Sequence, residues 1–359
     1  MSFHIVMGKD ADLPTVAREA AAGRAPSYVV SDLAAALGAT IHSPLAVHDQ
    51  SPSFTDKIRS KLIGRPDHWM LARHLVKTMH PGDVVWCTGE DVGIPMATLG
   101  RQRGIKTVLA IHNLDRPRGK LGMRLFNVTR SVDGWIVNAG AHRTFLRAMG
   151  VAEERIHTVL DRVDLKFFSP GPTASEKPRP VIASVGLEQR DYVTLAAATE
   201  ALPVDVKISG FSRDAAALAK AFPTTMPANM SRKFYEWPEL VDLYRSADVV
   251  VCSVFDNAYA AGVTTILEAA SVGRPLVVTA TRGLNDYLSA ERAMLVPPSN
   301  PRAMRSAIEG LLADRAWADQ LAQAARQHVE RHHSNEQWVN GIAAVMRRLS
   351  ESASDAPGR

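Results

Sequence analysis

One unit recurs along this chain and limits its folds more than anything else does: a short apolar run, a turn of small or polar residues, then a longer amphipathic stretch. Residues 3–7, 40–41, 83–87, 106–111 and 134–137 read as strands, with helical spacing over 28–37, 67–79 and 93–103 between them. The apolar runs do not alternate strictly, which suits strands covered on both faces. Strands interleaved with helices predict a parallel sheet. Residues 171–180 carry three prolines and no apolar period, as a linker would. The unit then starts again at 181–185, 205–209, 247–253, 274–279 and 293–298, and helical stretches at 301–330 and 335–350 close the chain. The expected fold is α/β with two Rossmann-like doubly wound domains, 1–170 and 181–334, joined by the linker and followed by a helix at 335–350 and a polar tail at 351–359. Ligands of such sheets sit at the carboxyl ends of the strands, expected here to face a cleft between the halves.

The length of 359 residues agrees with two domains. No apolar run reaches the roughly 18–20 residues of a membrane span. The first residues lack the pattern of a signal peptide, and Cys87 and Cys252 each lie in an apolar run as buried thiols do. A cytoplasmic location is the expectation. Charge divides unevenly: residues 1–170 hold 22 Lys+Arg against 16 Asp+Glu, or +6, and the remaining residues hold 20 against 21, or −1. That asymmetry points to an anionic partner for the first half. Six basic residues and one acid occupy 57–77, and eight basic residues and one acid occupy 101–130. Within 116–126 the basic residues alternate with Leu121, Met123, Leu125 and Phe126. These segments, 57–77 and 116–126, read either as peripheral contacts with an anionic membrane at its inner face or as solvated surface. No recognition module or aromatic platform accompanies the charge, so nucleic acid is not expected.

The chemistry concentrates in residues 258–279. A small-residue loop with Gly262 opens a helix ending at Gly273, and the free N–H groups of Gly262, Val263, Thr264 and Thr265 would form an anion site. Glu268, in the first turns of an otherwise apolar helix, would suit the paired hydroxyls of a ribose; it also reads as a carboxylate favoured by the positive end of the helix dipole. The twelve histidines include no group with the spacing and carboxylate company of a metal site, so no metal ligand is assigned.

Several segments in order resemble the retaining GT-B glycosyltransferases of family four: residues 133–156, Val163-Asp164 with Phe167-Phe168 and Pro170, 235–251, 267–275 and 295–301. The resemblance implies the GT-B fold, with the two domains facing across the cleft, the acceptor in the first half, the donor in the second and the last helix packed back on the first. It implies a retaining hexosyltransferase moving a hexose from a nucleoside-diphosphate sugar to an acceptor hydroxyl. The co-substrate would be a UDP-sugar, with no prosthetic group and no metal required. Carried over by position, Glu268 holds the ribose, the amides of residues 262–265 approach the diphosphate, and Arg190 spreads its charge. For Arg190 a local pair with Glu188 or Asp191 is the alternative. Glu188, Tyr235 and Trp237 are further donor-side candidates. His112, at the end of a predicted strand, would stand near the transferred sugar or simply cap the next loop. Gly8 and Lys9 form the acceptor-side loop.

Two positions depart from the family pattern. Ala260 stands where the family has its first glutamate, with Asp256 or Asn257 as stand-ins, and the usual glycine pair after the first strand is reduced to Gly8. Two further readings stay open: the same chemistry on a lipid headgroup at a membrane surface, and a catalytically inactive scaffold or binding protein of this fold.

Overall fold

Two six-stranded parallel sheets account for the two series of apolar runs. The computed structural model describes residues 1–112, 114, 116–172, 177–211 and 218–354. The first sheet contains β1 (Phe3–Val6), β2 (Thr40–His42), β3 (Val84–Cys87), β4 (Lys106–Ala110), β5 (Gly134–Val137) and β6 (Ile156–Thr158), ordered β2-β1-β3-β4-β5-β6. The second contains β7 (Val181–Val185), β8 (Asp205–Ser209), β9 (Met230–Arg232), β10 (Val249–Cys252), β11 (Leu276–Thr279) and β12 (Met294–Val296), ordered β12-β11-β10-β7-β8-β9. Every pairing is parallel.

Burial on both faces explains the unbroken apolar runs. Along β3, Val84 and Trp86 join a core with Ile5, Leu33 and Val108, whereas Val85 and Cys87 join another with Leu71, Leu109 and Trp135. The two cores lie on opposite faces, because successive side chains of a strand point opposite ways. In the second sheet Ile182, Val249, Val251 and Val277 pack with Leu195, Ile308 and Leu311 from covering helices.

Each sheet anchors one compact unit. Unit 1 holds Met1–Ala17, Tyr28–Leu160 and the chain from Trp338 on; unit 2 holds Arg18–Ser27 and Asp161–Gln337. Residues 161–170 therefore group with unit 2, ahead of the expected linker at 171–180. Side-chain and backbone bonds explain the shift: Asp161 N donates to Tyr287 Oη (3.0 Å), Ser27 N to Asp164 Oδ2 (2.7 Å) and Val163 N to the His333 carbonyl (2.8 Å). Residues 173–176 of the linker and 355–359 of the tail lie outside the described residues.

Three expectations change. The stretch at 301–330 is two helices, Pro301–Ala313 and Arg315–His332, because Asp314 leaves helical geometry and caps the second by accepting from Trp317 N (2.9 Å). The last helix spans Asn335–Ser354 and takes in the start of the expected tail. The edge strands β6 and β9 went unanticipated, since three residues reading Ile-His-Thr or Met-Ser-Arg carry no apolar run. In unit 2, Asp248 ties three segments: it accepts from Val181 N (2.7 Å) and Lys177 Nζ (2.7 Å) and pairs with Arg315. Burial opposes its ionisation, but these bonds outweigh that and hold the carboxyl below its ordinary range.

Candidate functional site

Strand order reverses between β7 and β10, so the loops leaving their carboxyl ends meet there, where ligands of doubly wound sheets bind. Two glycines shape the meeting point. Gly186 and Gly262 have φ of +98° and +96°, and a Cβ would lie 2.4 Å from Arg190 Nη2 at the first and 2.5 Å from Cys252 Sγ at the second. Arg190 fills the space beside them and is buried. Its Nε donates to the Val185 carbonyl (2.7 Å), Nη1 to the Glu188 carbonyl (3.0 Å) and Nη2 to Thr265 Oγ1 (2.8 Å); the Thr265 hydroxyl donates on to the Val185 carbonyl (3.0 Å).

The local ion pair considered for Arg190 does not form. Glu188 is exposed and contributes its backbone, and the Asp191 carboxylate caps the helix Tyr192–Thr199 by accepting from Thr194 N (2.9 Å) and Thr194 Oγ1 (2.6 Å). Three of the five guanidinium N–H groups are used, leaving one on each terminal nitrogen and a positive charge without a carboxylate beside it among the described residues.

The helix Val263–Val272 begins at this point with Gly262 as its left-handed cap and no side-chain cap. Val263 N donates to the Ala260 carbonyl (3.2 Å) and Ile266 N to the Gly262 carbonyl (3.1 Å), while the amides of Thr264 and Thr265 have no backbone acceptor among the described residues. Two open amides at a helix start, next to a buried cation, make an electropositive pocket floor. Further along, Glu268 is buried and its Oε2 accepts from Tyr244 Oη (2.7 Å), with no protein partner at Oε1 among the described residues. Burial pushes its carboxyl up to about 7, moderated by the Tyr244 bond and the charges of Arg190 and Arg162.

Tyr244 is one residue of the site that sequence reading missed. It lies 24 positions before Glu268, on the helix Trp237–Ser246, and only the fold brings the two together. An aromatic train backs it: Tyr244 lies edge-on to Phe168 (6.2 Å between centroids) and Phe168 to Trp237 (6.4 Å). Trp237 is thus partly spent on packing. Tyr235 is half-buried under the Lys233 ammonium (4.9 Å), and Tyr192 is packed in the core with its ring stacked on Phe222.

Unit 1 gathers its candidates separately. Strand order reverses between β1 and β3, and the loops after β1, β3 and β4 bring Gly8, Thr88 and His112 together. Gly8 N donates to Thr88 Oγ1 (3.3 Å), and a Cβ at residue 8 would lie 2.6 Å from Asp91 Oδ2. The Gly8 carbonyl accepts from Arg65 Nη2 (3.3 Å) and from buried His68 Nε2 (3.0 Å), whose Nδ1 in turn accepts from Arg65 N (3.2 Å). That pair of bonds fixes the Nε2–H tautomer. Neither Arg65 nor His68 showed itself in sequence, since both lie far from Gly8 along the chain. His112 is exposed; its N–H donates to Glu90 Oε2 (3.0 Å) and its Nε2 to the Thr88 carbonyl (3.1 Å). The ring therefore bridges the β3 and β4 loops, with no partner at Nδ1 among the described residues. Lys9 is exposed beside Gly8.

A glycosyl transferase-like family model matches residues 194–344. A D-inositol 3-phosphate glycosyltransferase from Catenulispora acidiphila is 26% identical over 312 residues, spanning 76% of this chain and 72% of that protein. Among solved structures, sucrose-phosphate synthase from Thermosynechococcus elongatus aligns over 98% of this chain and 100% of its own with a TM-score of 0.72 and 16% identity. Anabaena HepE, in complex with UDP and glucose, aligns over 97% and 99% with a TM-score of 0.70 and 13% identity. The chain has the GT-B fold, and its sequence is similar to glycosyltransferases. Asn257 does not supply the missing carboxylate near Ala260, because its amide is tied into its own turn with the Phe255 carbonyl (2.8 Å) and Tyr259 N (3.2 Å). Asp256 is exposed in the same turn. No helix among the described residues is long and apolar enough to cross a membrane.

Proposed function

We propose that this protein is a glycosyltransferase, a retaining hexosyltransferase whose donor is a nucleoside-diphosphate sugar, UDP-hexose in the first instance, held in unit 2. The observation that carries the reading is the pair of open amides at Thr264 and Thr265 beside the Arg190 cation, which forms no ion pair among the described residues, with Glu268 Oε1, also without a partner among them, further along the same helix. The amides and guanidinium match a diphosphate, and a carboxylate oxygen matches vicinal ribose hydroxyls. HepE, a protein of this fold, binds UDP and glucose, which supports the choice of base.

In the proposed reaction the bond between the anomeric carbon and the phosphate oxygen breaks and a bond from the acceptor oxygen forms on the same face. The acceptor proton passes to the departing phosphate, and nucleoside diphosphate is released. Arg190 and the helix amides stabilise the charge that grows on the leaving phosphate. Positive charge supplied by these protein groups lets the step proceed without a metal, so turnover is expected to survive a chelator. The Gly8–Lys9 loop is assigned to the acceptor side, in the basic unit, and His112 to the neighbourhood of the transferred sugar.

The test is transfer from UDP-hexose followed by NMR of the product. An anomeric configuration equal to the donor's supports the reading, and an inverted product overturns its retaining part. Absence of both transfer and donor hydrolysis, across hydroxyl acceptors and nucleotide bases, favours an inactive scaffold instead.

A further inference from the structure

Two neighbouring helices of unit 1 expose apolar side chains that the core would normally claim. On helix Phe54–Ser60, Phe54 is 78% and Ile58 48% exposed; on helix Pro117–Leu125, Leu121 is 48% and Leu125 62% exposed. Each pair has i, i+4 spacing and so lies on one helix face. The opposite faces are spent inward, through Asp56 on the first helix and Gly119, Gly122 and Met123 on the second. The helices are tied side by side: Arg118 donates to the carbonyls of Leu62 (2.9 Å) and Ser60 (3.2 Å), and a Cβ on Gly122 would lie 2.6 Å from Ile63 Cγ1.

Four cations on or next to these helices share a property, whereas Arg59 lies over the Trp69 ring and Arg118 is spent on the carbonyls just named. Lys57, Lys61, Lys120 and Arg124 form no ion pair among the described residues and are exposed, whereas Arg65 and Arg73, next along the chain, are neutralised by Asp67 and Asp56. At helical spacing Lys57 and Lys61 flank Phe54 and Ile58, and Lys120 and Arg124 flank Leu121 and Leu125.

We propose that this face of unit 1 docks on an anionic lipid bilayer, with the four apolar side chains entering the headgroup region and the four cations meeting lipid phosphates. Charge complementarity calls for an anionic surface, and the apolar pairs among the cations call for one that also takes up hydrocarbon. A dissolved polyanion meets only the first requirement. The contact confines the basic segment 57–77 to its first residues, because from His68 on it is a largely buried helix.

Co-sedimentation of the full chain with vesicles tests this without any donor, so its outcome is independent of the glycosyl-transfer reading. Binding is expected to phosphatidylcholine vesicles that contain phosphatidylglycerol and not to phosphatidylcholine alone, with release at high salt. The double variants Phe54→Ser/Leu125→Ser and Lys57→Glu/Arg124→Glu should each lower partitioning at least about tenfold. All four residues are exposed, so the melting temperature read on the same samples should stay at the wild-type value. Absence of binding to the anionic vesicles overturns the proposal. Binding indifferent to the Phe54/Leu125 change overturns it too, and heparin retention equal in wild type and that variant would assign the face to an acidic macromolecule.

Discussion

Burial pushes the Glu268 carboxyl up to about 7, against the Tyr244 hydrogen bond, which favours the carboxylate. The unfolded chain releases the same proton near the ordinary value of 4.5. Between those two values the native state binds more protons than the unfolded state, so the Glu268 contribution to stability falls as pH rises through that window and is unfavourable above it. Glu268→Gln should therefore leave stability below pH 4.5 unchanged and raise it above pH 7, with about 3 kcal/mol as the upper bound set by the shift. Urea unfolding of both proteins at pH 4.5 and pH 8 reads this directly. The same variant should bind UDP about 10–100-fold more weakly at pH 8, since it loses a charged hydrogen-bond acceptor. Gain of stability with loss of affinity distinguishes a ligand-holding carboxylate from one that only favours the helix dipole.

At the scale of elements, every strand but β6 and β9 was legible, and β5, β7 and β8 begin and end where expected. What failed was local. β6 and β9 lie at sheet edges, pair on one side only and need no apolar run, so periodicity is silent about them. The break at Asp314 was hidden because helical spacing continues on both sides of it, and a capping aspartate differs from an exposed one only in geometry. Of the candidate site, Gly262 and Glu268 were legible because they share one helix with its loop. The partnership of Glu268 with Tyr244 and of Gly8 with Arg65 and His68 was not, since each depends on elements that the sheet order brings together. Asp248 joins three such elements, and its carboxyl is held below the ordinary value of 3.8. Its contribution is present above pH 3.8 and is lost as pH falls through the folded value. Asp248→Asn should cost about 2 kcal/mol at neutral pH, checked by urea unfolding.

At the scale of the whole molecule, the chain leaves unit 1 after Leu160 and returns to it at Trp338. The returning helix supplies Val339, Ile342, Ala343, Val345 and Met346 to the same core as Ile5, Val30 and Trp86. It is thus part of unit 1's core, so Ile342→Ala should destabilise that unit by about 2–5 kcal/mol. Hydrogen exchange should then localise the loss of protection to β1–β5. The charge division acquires a structural sense as well: the nearly neutral second part of the sequence contains a site whose cation, Arg190, is buried and forms no ion pair among the described residues, while the first part exposes cations on surface helices.

The central claim is that the point between β7 and β10 where strand order reverses binds a nucleoside diphosphate through both its phosphates and its ribose. Isothermal titration calorimetry of UDP and uridine against wild type and Glu268→Ala measures it. The predicted result is UDP binding tighter than uridine, with both weakened about tenfold or more by the substitution. Equal affinity for UDP and uridine, or affinities indifferent to Glu268, would contradict it.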